Sequence, residues 1–324
     1  MGIEKDVLNA SLANKHCSVL FSYDEREVFS LIRRIFIKIV SFFYIRPYKS
    51  FTFGQISDFI LTKANNRVTS KVVEFIGRDK YDVVIFIKGL GFNGKDIEKI
   101  RDISGANKML LYQWDSVVRI PSVIKIYKYF DTVFSFQKED IQFYTDTIYI
   151  PTWSIIKKKC DAKFDSNNHA PKVIFIGSFS IDRFYDLVKL SKKLILFNID
   201  FKFVLVCNFP INIKIFGVDL LKEVVSNGTL NDWYQDCHAM VELRCNGQLG
   251  STQRVKDAIT LEKKVLVIND EHKKTIHNEF NYVDVITIDS LSENSINLSC
   301  KHTPSVKIDG LNIDNWWAKI EKYL

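Results

Sequence analysis

Short apolar runs alternate with segments of helical periodicity along most of the chain. In the first half, apolar runs that predict buried strands lie at 81–88, 108–113, 132–136 and 147–150. The intervening segments of helical spacing lie at about 93–103, 120–129 and 137–144. Continuous apolar strands that alternate with helices are typical of parallel sheets, because crossover helices cover both faces.

The alternation begins again after a polar, aperiodic stretch at 156–171 that we interpret as a linker. The strands predicted beyond it are 172–177, 203–207, 239–243, 264–268 and 284–288. The helices predicted there are about 183–197, 218–225, 252–261 and 273–279. We therefore predict an α/β fold of two facing, doubly wound, Rossmann-like domains, an N-terminal one at 1–155 and a C-terminal one at 172–324.

Composition narrows the classes of protein and of partner. Of the 324 residues, 47% are hydrophobic and 26% charged, which excludes a disordered chain. The net charge of +7 suits an anionic ligand or a membrane surface better than nucleic acid, so no nucleic-acid partner is expected. The six cysteines form no C-x-x-C pair and the first residues do not read as an export signal, so we expect a cytoplasmic protein with reduced thiols.

One segment combines apolar residues at helical spacing with a basic margin. Val28 to Ile45 carries this periodicity, and Arg33, Arg34 and Lys38 add positive charge. A basic amphipathic helix can lie in a membrane interface, so residues 28–49 predict contact with an anionic membrane surface. The alternative is a helix packed on a sheet with its cations solvated.

A glycine-bearing loop within 242–258 separates a predicted strand from a helix that begins near Ser251 or Thr252. Free backbone N–H groups and the helix dipole favour a phosphate at such a start, and hydroxyl and guanidinium groups add charge-assisted bonds. We predict that it binds a donor through Gln248, Gly250, Ser251, Thr252, Arg254 and Asp257, the last accepting hydrogen bonds from ribose hydroxyls. The alternative is an ordinary Ser/Thr helix cap beside a solvated arginine.

A second glycine turn follows the first strand of the second half. Gly177 permits close backbone approach, and Ser178 and Arg183 supply donors for a pyrophosphate. The turn is neither G-x-G-x-x-G nor a Walker A loop, so a nicotinamide dehydrogenase is not expected. Two phosphate-type loops in one half predict a nucleotide diphosphate ligand.

In the first half, polar residues end two neighbouring strands. Asp115 is predicted to stand at the carboxyl edge of the sheet, where a carboxylate can act as general base on an acceptor hydroxyl. Lys88 and Trp114 are the predicted acceptor-binding residues, Lys88 because it could meet an anionic acceptor. The alternatives are an aspartate that caps the next helix and a solvated lysine beside a turn. No histidine, cysteine or acidic spacing predicts a metal site.

These motifs together resemble a known family. Leu111–Ser116, Tyr129–Asp140, Ile150-Pro151, Phe175–Arg183 and Gly250–Ala258 are similar to segments of bacterial lipopolysaccharide and capsule glycosyltransferases of the GT-B type. The resemblance covers roughly residues 80–290. The chain departs from the family at Asp257, where glutamate is usual, and at Leu249, where retaining enzymes often carry glutamate, which leaves the stereochemical outcome open.

The resemblance implies a hexosyl- or related transferase. A nucleotide-sugar would bind the second domain as substrate, and a growing surface polysaccharide or lipid-linked oligosaccharide would bind the first. Helix dipole and arginine charge would take the part of a metal ion, so neither metal nor cofactor is expected. A cytoplasmic location with peripheral contact at the inner membrane follows. The alternative is a non-catalytic assembly or scaffold protein of polysaccharide synthesis that keeps the fold.

Overall fold

The computed structural model describes residues 3–22, 68–89, 91–118, 120–156, 172–207, 212–223, 225–244, 248, 250–280, 283–292 and 311–324. The predicted amphipathic helix at 28–49 and nearly all of the predicted linker lie outside these residues. The chain divides into two compact units. The first is mainly Gly2–Thr152 with Trp316–Leu324, and the second is mainly Trp153–Cys245 with Gly250–Asn315.

The first unit is built on a parallel sheet of four strands in the order β1-β2-β3-β4. Its strands are β1 (Val83–Ile87), β2 (Lys108–Gln113), β3 (Thr132–Ser135) and β4 (Thr147–Tyr149). Its helices are α1 (Ile3–Ala13), α2 (Gly94–Ser104), the short α3 (Ile124–Tyr127) and the closing α8 (Ile313–Glu321), and residues 68–76 are also helical.

The sequence determines the bounds of α2 clearly. Asn93 and Asp96 form a capping box at its start, and Gly105 ends it with a left-handed φ of 66°. The apolar face carries Ile97 and Ile100, which are fully buried against the sheet. The helix predicted at about 120–129 is present in part, because the 3-10 turn Pro121–Val123 leads into α3. The helix predicted at 137–144 is wrong in type, because Lys138–Phe143 forms a 3-10 helix whose buried residue is the polar Asp140.

The last helix packs on the first unit rather than the second. Trp316 lies edge-on against Tyr112 of β2, with ring centroids 4.9 Å apart. Lys108 donates from Nζ to the backbone carbonyl of Tyr323 at 2.8 Å. The chain therefore returns to the sheet on which it began after completing the second unit.

The second unit is built on seven strands in the order β11-β10-β9-β5-β6-β8-β7, parallel except for β7. Its strands are β5 (Lys172–Ser178), β6 (Asp200–Val206), β7 (Ile213–Ile215), β8 (Val218–Leu221), β9 (Ala239–Glu242), β10 (Lys264–Val267) and β11 (Val285–Thr287). Its helices are α4 (Ile181–Leu196), α5 (Asn227–Gln235), α6 (Gln253–Thr260) and α7 (Asp270–Glu279).

The predicted helix at 218–225 is wrong, because its first residues form strand β8. Val218 and Leu220 are buried while Asp219 between them is not, which is the alternation of a strand with one face on the core. Antiparallel β7 pairs with it through a two-residue turn at Phe216-Gly217. These short strands form the edge of the sheet, where apolar runs are too brief to separate strand from helix.

The topology brings the two predicted donor loops together. Strands β5 and β9 are parallel neighbours near the centre of the sheet, with Val173 opposite Ala239 and Ile174 opposite Met240. The glycine turn follows β5, and the segment leading to α6 follows β9. Both loops therefore leave the same carboxyl edge, where ligands bind in open α/β sheets.

Candidate functional site

Arg254 joins the two loops at the carboxyl edge of the sheet. It is the second residue of α6, and its Nε donates to the carbonyl of Ile176, near the end of β5, at 3.2 Å. A Cβ atom at Gly177 would come within 3.1 Å of its Nη2, so glycine is what allows this close approach. The guanidinium also lies over the Phe175 ring, 4.4 Å from its centroid.

Glu242, the last residue of β9, holds the start of α6. Its carboxylate accepts from the backbone N–H of Thr252 at 2.8 Å, from the Thr252 hydroxyl, and from Arg254 Nη1 at 3.1 Å. Glu242 is 2% exposed, so the three bonds compensate a charge withdrawn from water. Thr252 in turn caps the helix by accepting from Arg254 N.

A second carboxylate binds the residue before the cap. Glu279, the last residue of α7, accepts hydrogen bonds from the backbone N–H and the hydroxyl of Ser251. The buried Lys256 donates to the Ser251 hydroxyl at 2.7 Å and to its carbonyl at 3.0 Å, and it lies 4.0 Å from Glu279. Burial lowers the pKa of Lys256, and the nearby carboxylates oppose that shift.

The positions that we predicted for a donor phosphate are therefore held by the chain's own carboxylates. Both Ser251 N–H and Thr252 N–H already donate to side-chain oxygens. The predicted alternative of a Ser/Thr cap is present in the geometry, but Arg254 is paired rather than solvated. Gly250 directly precedes this start and is buried, and Gln248 is half-buried.

Arg183 and Ser178 meet at the end of β5. Arg183 Nη1 donates to the hydroxyl of Ser178 at 3.0 Å, and its Nε and Nη2 donate to the carbonyl of Leu243 at 3.3 and 3.1 Å. Arg183 is 6% exposed, whereas Ser178 is open to solvent. Arg183 therefore braces the two loops in this structure, and Ser178 presents the accessible group.

Asp257 forms hydrogen bonds with the segment that begins the second unit. Its Oδ1 accepts from the Ser154 hydroxyl at 2.8 Å and from the Ile155 N–H at 3.0 Å. One turn earlier, Gln253 donates to the carbonyl of Trp153. Burial raises the pKa of Asp257 to about 7, and the hydrogen bonds from Ser154 and Ile155 counter part of that shift. The predicted ribose contact would need this buried carboxylate to change partners.

A crevice beside the start of α6 gathers further polar groups. Its lining includes Arg244, just after β9, and His272 and Thr275 of α7, besides Glu242 and Ser251. Burial lowers the pKa of His272, and the charge of Arg244 lowers it further. The crevice therefore places a guanidinium and a ring nitrogen beside the start of α6.

In the first unit, the structure brings the predicted Lys88 and Asp115 into direct contact. Lys88 Nζ lies 2.7 Å from Asp115 Oδ2, and the Asp115 side chain is only 12% exposed. Lys88 adopts a left-handed φ of 78°, which is uncommon for a side chain of this size. Trp114 is half-buried beside them, with its ring 6.0 Å from that of Tyr112. All three predicted residues share the carboxyl edge of β1 and β2.

The turn that carries Asp115 is held by a buried aspartate that sequence reasoning did not single out. Asp140 accepts from Val117 N–H at 3.2 Å and from the Ser135 hydroxyl at 2.6 Å. Gln137 donates to the Ser116 hydroxyl at 3.2 Å, so side-chain hydrogen bonds hold both residues that follow Asp115. Burial raises the pKa of Asp140 to about 6, against the effect of its hydrogen bonds.

Glu242, Glu279, Lys256 and Asp140 are thus the missed residues around the predicted sites. Two signals were available in the sequence: Glu242 ends an otherwise apolar strand, and Lys256 is a charged residue between the apolar Val255 and Ala258 of α6. Within the described ranges, no group of three histidine, cysteine or acidic side chains is placed to hold a metal ion. No helix there is long and apolar enough to cross a bilayer.

Comparison with known proteins shows likeness at the level of structure. No family model matches the sequence, and no curated protein matches it. A UDP-forming alpha,alpha-trehalose-phosphate synthase from Burkholderia xenovorans, solved with glucose-6-phosphate, is 8% identical with a TM-score of 0.53 over 81% of this chain and 76% of its own. The corresponding synthase from Burkholderia vietnamiensis is 7% identical, with a TM-score of 0.51 over 81% and 75%. The chain thus has the α/β architecture of GT-B glycosyltransferases, with two Rossmann-like units.

Proposed function

We propose that this protein is a glycosyltransferase that moves a sugar from a nucleotide-sugar to a growing surface polysaccharide or a lipid-linked oligosaccharide. In the reaction, the bond between the anomeric carbon and the donor phosphate breaks, and a nucleoside diphosphate leaves. The acceptor hydroxyl forms the new bond to the anomeric carbon and gives up its proton to a general base. The proposal rests on one observation: the two predicted phosphate-binding loops, after β5 and after β9, lie at the same edge of the sheet.

The fold supports this proposal. The similar synthases are named as UDP-forming enzymes, so their architecture accommodates a nucleotide-sugar donor. In the present chain, the carboxyl ends of β5 and β9 are joined by Arg254, which bonds Ile176 of β5 and Glu242 of β9. A ligand at this edge would lie between backbone and cationic groups, as a diphosphate requires.

For the donor, we propose that the diphosphate competes with Glu242 for Arg254. Ser178 is accessible and already touches the Arg183 guanidinium, so an entering phosphate would meet a hydroxyl backed by a cation. Gln248 and Gly250 precede α6, the helix that carries Arg254. We propose that Asp257 acts here by fixing the start of α6 to Ser154, which places Arg254.

For the acceptor, we propose that Asp115 takes the hydroxyl proton and that Lys88 orients it. The contact of 2.7 Å fixes the Asp115 carboxylate in one place, which a general base needs. Trp114 offers a partly exposed ring on which a sugar can stack. The proposal includes no metal ion. It does include contact with the inner membrane through residues 28–49, which lie outside the described ranges.

One observation favours a second candidate function, a non-catalytic assembly protein of polysaccharide synthesis. Glu242 and Glu279 occupy the N–H groups of Thr252 and Ser251, so the start of α6 is neutralised without any ligand. A chain that had lost turnover could keep such an arrangement for stability. Binding and turnover of the donor therefore decide between the two functions.

The experiment is a thermal-shift screen of the whole protein against UDP-, GDP-, ADP- and CMP-sugars, followed by an assay for release of the nucleotide, which is a nucleoside diphosphate for the first three donors and CMP for the last. We expect one nucleotide class to raise the melting temperature and to be hydrolysed slowly when no acceptor is present. Ser178→Ala should weaken that shift, and Ser290→Ala, a change in the β11 turn, serves as a matched control. Binding without release would favour the assembly protein, and no shift with any donor would contradict the transferase.

A further inference from the structure

An apolar patch lies at the amino edge of the seven-stranded sheet, away from the candidate donor site. We call Ile195, Leu196, Ile213 and Phe216 the hairpin patch. Leu196 is 82% exposed, Phe216 72% and Ile195 65%, values that are unusual for side chains of this size in the described part of the chain. Contiguous exposed apolar side chains mark an interaction surface more often than single ones do.

The hairpin and the end of α4 form one continuous surface. The Ser191 hydroxyl donates to the carbonyl of Phe216 at 3.1 Å, so the tip of the hairpin rests on α4. Ile195 follows Ser191 by one helical turn and therefore lies on the same side of the helix. A Cβ atom at Gly217 would meet the Phe201 ring at 2.9 Å and Ser191 Cβ at 3.5 Å, which confirms how closely the elements approach.

The chain keeps phenylalanine at a backbone position that disfavours it. Phe216 and Gly217 have φ of 49° and 85°, and together they connect β7 and β8 as a two-residue turn with positive φ at both positions. Asn-Gly is the pair that such turns favour, and a bulky residue at the first position is an outlier. An exposed aromatic ring held in an unfavourable conformation indicates a role for that ring outside the folded core.

Positive charge borders the patch. Lys189 and Lys192 are exposed on α4, at one-turn spacing before Leu196, and Lys189 lies over the Tyr185 ring at 4.3 Å. Lys214 is exposed in the hairpin, where Asp219 is its partner across the strands. Lysines beside exposed apolar and aromatic groups are typical of surfaces that bind anionic bilayers.

We propose that the hairpin patch docks the protein on an anionic lipid bilayer, with Phe216, Ile195 and Leu196 entering the interface and Lys189 and Lys192 facing lipid phosphates. A second copy of the chain fits the patch less well, because a two-fold contact would bring two positively charged surfaces of the same kind together. Docking at the amino edge leaves the carboxyl edge, with Ser178 and Arg254, open to a ligand from solution. The proposal does not depend on the transferase activity.

The test is cosedimentation of the full chain with phosphatidylglycerol–phosphatidylcholine vesicles and with pure phosphatidylcholine vesicles. We expect pelleting with the anionic vesicles alone, and less of it as salt rises, because exposed charges are screened over about 8 Å at physiological ionic strength. Replacing Lys189 and Lys192 by Gln should lower the partition coefficient about 25-fold, at roughly fivefold for each lysine. Lys95→Gln with Lys99→Gln, two exposed lysines of α2, is the matched control.

Phe216→Asn separates docking from folding. Asparagine is favoured at positive φ, so this variant should melt at the wild-type temperature or above while losing vesicle binding. Phe143→Ser, at another exposed aromatic position, should bind as the wild type does. The proposal is overturned if the wild type stays in the supernatant, or if the patch variants pellet as the wild type does, whether or not Arg33→Glu, Arg34→Glu and Lys38→Glu abolish binding. It is also overturned if Phe216→Asn abolishes a dimer in sedimentation equilibrium and leaves vesicle binding intact.

Discussion

Arg254 Nη1 lies 3.1 Å from Glu242 Oε2, and the two side chains are 10% and 2% exposed. The pair connects the carboxyl end of β9 to the first turn of α6. Since Arg254 also reaches Ile176 of β5, one guanidinium organises the edge at which we propose donor binding. Mutation can separate the contribution of Arg254 to stability from its proposed contribution to ligand binding.

Arg254→Ala is expected to destabilise the protein by about 3–5 kcal/mol, because it leaves the Glu242 carboxylate buried without its cation. The burial of both side chains is the reason for the size of this expected effect. Urea denaturation measures the effect. Arg254→Met combined with Glu242→Gln should recover part of the loss, and equal destabilisation in single and double variants would contradict the pairing argument.

Glu242→Gln tests whether a diphosphate competes for the same guanidinium. Removing the competing charge should tighten nucleoside diphosphate binding about tenfold, equivalent to ~1.4 kcal/mol, since the charge-assisted bond then goes to the ligand. Isothermal titration calorimetry measures the change. Glu279→Gln, which alters the carboxylate at Ser251 instead, is the matched control. Unchanged affinity in Glu242→Gln would remove Arg254 from the donor site.

Asp115→Asn tests the proposed general base. The amide keeps the shape and loses the basicity, so the transfer rate should fall roughly 10²–10⁴-fold while nucleotide binding stays the same. Single-turnover kinetics with the donor identified by the screen measures the step. Asp102→Asn, at an exposed position in α2, is the control. Nearly full turnover in Asp115→Asn would leave Asp115 as the structural partner of Lys88 only.

Much of the fold could be predicted from apolar periodicity, because buried parallel strands such as β2 and β10 are continuous apolar runs. Strand β8, next to the edge strand β7, could not be predicted, since Val218 to Leu221 is too short to show its period. In the candidate site, the glycine residues in the sequence allowed us to predict the positions of the two loops that approach each other near Gly177. The partners of Arg254 and Val117 could not be predicted, because Glu242 and Asp140 reach them across the fold, 12 and 23 residues away in sequence.

The pH dependence of stability tests the burial of Asp140. Its pKa is raised by burial from the ordinary 3.8 to about 6, so the folded protein keeps a proton that the unfolded chain releases. The resulting stabilisation is fully present below about pH 4 and is lost as pH rises through 6. At about 1.4 kcal/mol for each pKa unit, the wild type should lose on the order of 3 kcal/mol of unfolding free energy over this range through Asp140.

Asp140→Asn removes that titration while leaving the other groups in place. The buried Asp257, whose pKa is about 7, shifts stability in the same direction in both proteins and so cancels from their difference. We therefore expect the free energy of unfolding of the wild type, relative to Asp140→Asn, to fall between pH 4 and pH 7. Guanidinium denaturation at several pH values measures this difference. The asparagine amide has only one accepting oxygen, so it cannot accept from both Val117 N–H and the Ser135 hydroxyl as Asp140 does, and the variant should be less stable overall. Only the change of the difference with pH therefore reports the titration. A difference that stays constant from pH 4 to pH 7 would mean that Asp140 ionises at its ordinary pKa and that the Asp115 turn is held by a carboxylate at all these pH values.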